Sequence, residues 1–255
     1  MAELSSAFFY FWGMEATKRF GLIGRNISYS FSKNFFEEKF MQLSLENHSY
    51  GLFDMEEIDE VENLLNDPEM VGLNVTIPYK EKIIAFLDEL SEEAEKIGAV
   101  NCIHIKYGKK TGYNTDAFGF ERTMLLHKEN FHHNALVLGN GGAAKAIRYV
   151  LEKNGIPYQT VARNTNLSFE NLTERMVAEN QIIIQCTPVG TFPDVEKCLT
   201  FPFGGLSEKH LVIDLIYNPS TTLFLKKAGE KGSKTVNGYY MLEQQAEKAW
   251  EIWNF

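Results

Sequence analysis

Apolar and polar positions along this chain follow two periods that take turns. RFGLIG (19–24) is a compact apolar run of strand length, and SKNFFEEKFMQL (32–43) follows with helical spacing and Ser32 as its expected N-cap. SYGLFDM (49–55) predicts a second strand, EEIDEVENLLND an acidic amphipathic helix, and GLNVTIP a third strand. IIAFLDELSEEAEKIG predicts another helix, and AVNCIHIKYGKKTGYNTD two short strands around a Gly-Lys-Lys turn. A helix follows Asp116, and ALVLGNGGAAKAIRYVLEKNG then opens a new unit of strand, glycine turn and helix. PYQTVAR, QIIIQCT and HLVIDLIYN read as further buried strands. Strands alternating with helices predict an α/β chain with largely parallel sheets. The expected domains are 1–117 and 118–238, with a last helix over 240–255 returning to the first.

Composition narrows the class. With 255 residues, 44% of them hydrophobic, the chain can bury a sizeable core. A formal net charge of −9 with no basic run argues against a general nucleic-acid binder, so any anionic ligand needs a local site. Cys102, Cys186 and Cys198 are odd in number and lack metal-ligand spacing, which implies neither a disulfide framework nor a metal site and fits a reducing cytoplasm. No apolar run reaches the roughly 18 residues of a membrane span. Met14 directly precedes the first patterned segment, so residues 1–13 are expected to be an unstructured extension and Met14 a candidate start.

The glycine turn carries the first chemistry. In LGNGGAAKA, Gly139, Gly141 and Ala144 match a GxGxxA fingerprint: a tight turn, close backbone approach to a pyrophosphate, and close packing of the following helix. The helix N-terminus offers unpaired N–H groups to phosphate. An NAD site usually carries an acid at the end of the second strand, whereas TVARNT has Arg163 there, which favours the 2′-phosphate of NADP. Upstream, NVTIPYK and YNTDAFGF set Lys80 and Asp116 at the ends of strands, where α/β sheets bind ligands. If the two meet, they form an ion pair able to hold a hydroxyl and move its proton during hydride transfer. Singly, each has an ordinary reading: a solvated lysine, and an aspartate that caps the helix AFGFERTMLL.

Taken in order, GLIGRNISYSFSKNFF, GLNVTIPYKEKI, LDELSEEAEKIGAVNCI, GYNTDAFGF, LVLGNGGAAKAI, IIIQCTPVGTFP, LVIDLIYNPSTT and NGYYMLEQQA resemble the shikimate dehydrogenase family from about residue 19 to the C-terminus. The resemblance implies two α/β domains: an N-terminal substrate domain with a mixed, mostly parallel sheet, and a Rossmann-like NADP-binding domain. It implies reversible, NADPH-dependent reduction of 3-dehydroshikimate to shikimate, on the route to chorismate and aromatic amino acids. By motif, Lys80 and Asp116 are the catalytic pair, with Lys80 either proton donor or orienting cation. Ser30, Ser32 and Tyr217 bind the substrate carboxylate, while Thr76, Asn101, Asp116 and Gln245 read the ring hydroxyls. Gly139, Asn140, Gly141, Gly142 and Ala143 form the pyrophosphate loop, Arg163 and Asn164 the 2′-phosphate site, Thr187 and Pro188 a wall, and Leu215, Gly238 and Met241 the nicotinamide pocket.

The chain also departs from the family's pattern. Leu167 stands where a second basic residue is common, which weakens the expected preference for NADP, and Asn140 and Gln185 are further variations. The partners implied are a small-molecule substrate and NADP, with no metal, nucleic acid or membrane, in a cytoplasmic monomer or homodimer. Two other readings are a quinate/shikimate dehydrogenase that prefers NAD, and a non-catalytic sensor of shikimate-pathway compounds. Retention of both Lys80 and Asp116 speaks against the sensor.

Overall fold

The computed structural model describes residues 17–28, 30–163 and 165–254. The expected extension over 1–13, the Met14 start and Asn164 lie outside them.

The first half of the chain builds a six-stranded sheet from β1 (Lys18–Gly24), β2 (His48–Asp54), β3 (Met70–Val75), β4 (Glu89–Leu90), β5 (Cys102–Lys106) and β6 (Lys109–Tyr113). Its order is β2-β1-β3-β5-β6-β4, parallel except where β5 pairs with β3 and β6. Strand alternation divides its side chains between two cores. Ile23, Leu73, Val75 and Ile103 pack on Val61, Leu64 and Leu65 of α2 (Val61–Leu65) and on Ile83 and Ala94. Phe20, Leu22, Tyr50 and Cys102 face Phe36 and Phe40 of α1 (Phe31–Gln42) and the C-terminal helix α8 (Tyr239–Trp253).

The contact with α8 is close. Gly72 lies under the Trp253 indole, where a Cβ would come within 2.3 Å of Nε1, and that nitrogen donates to the Ile103 carbonyl at 2.9 Å. Trp253 is 4% exposed, so its burial contributes about 2–3 kcal/mol.

The second sheet is wholly parallel, in the order β11-β10-β9-β7-β8. It comprises β7 (Ala135–Leu138), β8 (Tyr158–Val161), β9 (Ile182–Gln185), β10 (Leu211–Asp214) and β11 (Lys234–Val236). One face packs on α6 (Glu174–Ala178) and α7 (Leu223–Gly229), the other on α5 (Gly142–Lys153) and on Phe120 and Met124 of α4 (Thr115–His127). The chain leaves β7 for β8 on one side and later adds β9 on the other, so a crevice opens at the C-terminal end of β7, where the glycine turn sits.

Three local expectations are corrected. The stretch read as one helix over IIAFLDELSEEAEKIG is a 3-10 turn (Lys82–Phe86), then β4, then the short helix α3 (Glu92–Ile97). Ser91 starts that helix, its Oγ accepting from the Ala94 N–H, and Gly98 ends it at φ 67°. The acidic segment after β2 is helical only over Ile58–Glu60 and α2. Ser32 is not the cap of α1: Ser30 is, its Oγ accepting from the Ser32 N–H at 3.2 Å.

Candidate active site

Beyond β3 the chain turns through a cis Ile77–Pro78 peptide, and Lys80 follows two residues later. Its Nζ donates to Asp116 Oδ2 at 2.6 Å, with the two side chains 15% and 4% exposed. Asp116 is available for this because Asn114 caps α4, accepting from the Ala117 N–H at 3.2 Å and donating to the Ala99 carbonyl. The alternative reading of Asp116 as that cap is thereby set aside. Asn101 binds the pair to its surroundings: Nδ2 lies 3.0 Å from Asp116 Oδ1, Thr115 Oγ1 and Gln245 Oε1. Its Oδ1 accepts the Thr115 N–H at 2.6 Å. Gln245 on α8, and not its neighbour Gln244, therefore joins residues of the first sheet.

The serines lie at the start of α1. Ser32 hydrogen-bonds Tyr50, whose hydroxyl donates to Asn74 Oδ1 at 2.8 Å. Burial pushes the Tyr50 phenol well above its ordinary range, so it stays a neutral donor. Phe31, between the serines, meets the Tyr217 ring edge-on at 6.2 Å. Half-buried Thr76 sits just past β3, its methyl carbon 2.5 Å from where a Cβ on Gly24 would lie. Sequence reasoning missed Tyr50 and the bonding role of Thr115. Tyr50 had a faint signal, since strand alternation turns it inward across from Phe20.

The glycine turn approaches the ion pair. A Cβ on Gly142 would lie 3.5 Å from Lys80 Cβ. Gly139 adopts φ +116°, a region that favours glycine, and N-cap Gly141 makes no side-chain cap hydrogen bond. A Cβ on Gly141 would meet nothing within 4 Å, so open space faces the first amides of α5. That cradle fits a pyrophosphate. The exposed Arg163 follows β8, two residues after Val161, whose carbonyl accepts the Gly139 N–H at 2.9 Å. Leu167 pairs back to Val161 and packs into the core, which explains an apolar residue there. Exposed Asn140 accepts from Arg148 at 2.7 Å. Gly139 also touches Thr187, and Pro188 is exposed beside it. Gly238 packs on Leu215, a Cβ there falling 2.1 Å from the Leu215 oxygen, and Met241 is buried against Gly119 of α4.

A family model described as the shikimate dehydrogenase substrate binding domain matches residues 22–103. A relative from Desulforamulus reducens named shikimate dehydrogenase (NADP(+)) is 37% identical, over 91% of this chain and 88% of that one. The chain belongs to the shikimate dehydrogenase family. A solved shikimate 5-dehydrogenase from Thermus thermophilus, in complex with NADP(H) and shikimate, superposes with a TM-score of 0.83 at 30% identity, covering 93% of each chain. A quinate dehydrogenase from Corynebacterium glutamicum, in complex with NAD, also reaches a TM-score of 0.83, at 25% identity over 93% of this chain and 94% of that one. Among the described residues, no cluster of three or more His, Cys, Asp or Glu is placed to hold a metal ion, and no helix is long and apolar enough to cross a membrane.

Proposed function

We propose that this chain is an NADP-dependent shikimate dehydrogenase, an oxidoreductase that reversibly reduces 3-dehydroshikimate to shikimate in aromatic amino acid biosynthesis. The observation that carries the reading is the buried Lys80–Asp116 pair at 2.6 Å, set against the helix of the glycine turn. NADPH, when bound, would supply the hydride for the ketone carbon. Lys80, oriented by Asp116, polarises the ketone oxygen and supplies its proton from Nζ. Asn101 and Gln245 fix the pair and offer amide groups to ring hydroxyls, a donor set that disfavours analogues lacking a hydroxyl. Thr76 stands beside the same strand ends. Ser30, Ser32 and Tyr217 bind the substrate carboxylate with neutral donors, which reconciles an acidic chain with an anionic substrate.

Gly139 to Ala143 would hold the pyrophosphate, Arg163 the 2′-phosphate, and Thr187, Pro188, Leu215, Gly238 and Met241 the nicotinamide end. The domain division at 117/118 belongs to the same proposal and is supported by the two separately built sheets. So does a cytoplasmic location, supported by three free thiols. The test is reduced-nicotinamide absorbance with shikimate or quinate, each paired with NADP or NAD. Fast turnover with shikimate and NADP is expected. Turnover confined to quinate and NAD moves the chain to the quinate branch, and binding without turnover in every pair supports the sensor reading.

A further inference from the structure

Gln185 closes β9 with a fully buried side chain. Its Nε2 donates to the Thr187 carbonyl at 3.1 Å and to the Val189 carbonyl at 3.2 Å, while its Oε1 accepts from the Thr187 N–H. One amide therefore satisfies three backbone groups of the loop that follows the strand. Its own carbonyl accepts the Leu215 N–H at 3.0 Å, which ties the end of β10 to the same residue. The clamped loop is packed against the glycine turn: a Cβ on Gly139 would lie 3.1 Å from Thr187 Cγ2 and 3.4 Å from the Cys186 carbonyl carbon. The side chain thus holds Thr187, which in turn bears on Gly139, whereas the bond to Leu215 runs from main chain to main chain.

The chemistry of this clamp is specific. Both a donor and an acceptor are needed, at the end of a two-methylene stem. Glutamate keeps the acceptor and loses both donors, leaving a carboxylate against two carbonyl oxygens. Leucine fills similar space and leaves all three backbone groups without a protein partner, at a cost large enough to shift the loop.

We infer that Gln185 is a positioning residue for the nicotinamide end of the dinucleotide. Its side chain acts through Thr187 and Val189, setting the wall that follows β9 at a fixed distance from the glycine turn. The inference rests on the reading of that pocket given under Proposed function.

The experiment compares wild type with Gln185→Glu and Gln185→Leu. Dissociation constants are measured by fluorescence for NADPH and for 2′-phospho-ADP-ribose, which lacks the nicotinamide, with KM for NADPH and for 3-dehydroshikimate alongside. The NADPH constants are expected to rise about tenfold or more, the scale of unpaired backbone groups, with 2′-phospho-ADP-ribose affinity and KM for 3-dehydroshikimate within about twofold. A merely structural role would weaken both nucleotides and the substrate together, and that result overturns the inference. So does NADPH binding within about twofold of wild type in both variants. Gln185→Glu, nearly isosteric, serves if the leucine variant does not fold. Wild-type turnover with NADPH in the same series keeps the proposed function standing when the Gln185 inference fails, and its absence counts against the function itself.

Discussion

Replacing Lys80 with methionine separates what this side chain does for the reaction from what it does for the fold. Asp116 is 4% exposed and its Oδ2 is 2.6 Å from the Lys80 ammonium, so the variant strands a buried carboxylate that keeps Asn101 Nδ2 as its side-chain partner among the described residues. Breaking a buried pair from one side costs about 3–5 kcal/mol. Because Lys80 is itself 15% exposed, water can reach part of the gap, which points to the lower end, about 3 kcal/mol. In a chain of this size that lowers the melting temperature by about 6–12 °C. Turnover is expected to fall about 10²- to 10⁴-fold, the usual worth of a positioned proton donor.

The double variant Lys80→Met, Asp116→Leu removes both charges. Its stability is expected to return to within about 1 kcal/mol of wild type, since an uncharged pair of similar volume carries no desolvation penalty, while turnover stays lost. Urea denaturation of the three proteins, with initial rates of NADPH oxidation, makes the comparison. If the single variant is as stable as wild type, or if the double variant is less stable still, the pair is not a buried, coupled unit.

Further outcomes follow from other parts of the site. Arg163→Ala is expected to cut the preference for NADP over NAD by about 10- to 100-fold, the worth of a charge-assisted phosphate contact, read from kcat/KM for the two cofactors. Burial pushes Asp214 from 3.8 up to about 6, against hydrogen bonds from Thr222 and the Ile216 N–H. The native state thus keeps a proton that the unfolded chain releases between about pH 4 and 6, so this group's contribution is fully present below the unfolded value and is lost as pH rises through the folded one. Asp214→Asn should therefore gain about 3 kcal/mol relative to wild type between pH 4 and 7, and a flat difference in urea midpoints would contradict it. Gly119→Ala is expected to pry α4 from α8, since its Cβ would lie 2.5 Å from the Met241 oxygen, and to raise KM for the substrate by displacing Gln245.

Particular residues show how far the sequence reaches. The resemblance of short motifs singled out Lys80, Asp116, Asn101 and Gln245, and the structure links them by hydrogen bonds, with Gln245 reaching in from the middle of α8. The caps went differently: Ser30 and Ser32 are equally good N-cap residues by type, and it is Ser30 whose backbone is extended, at φ −66° and ψ 132°, with its Oγ accepting from the Ser32 N–H. Asp116, also readable as the cap of α4, is freed because Asn114 takes that place, accepting from the Ala117 N–H. The long helix expected before Ala99 fails because Glu89 and Leu90 find a partner strand in β6, a pairing no local propensity records.

Alternation of apolar runs, the glycine turn and the order of short motifs were enough to establish the α/β class and the family, and they named the residues of the candidate site. Those features act locally: a period of two or 3.6 and a glycine at φ +116° depend on neighbours in the chain. Which hydroxyl caps, which glutamine turns inward, and how the buried Gln185 amide holds Thr187 and Val189 were decided by the tertiary structure. A buried polar group takes whichever partners packing brings within reach, and those partners come from elements far apart in sequence.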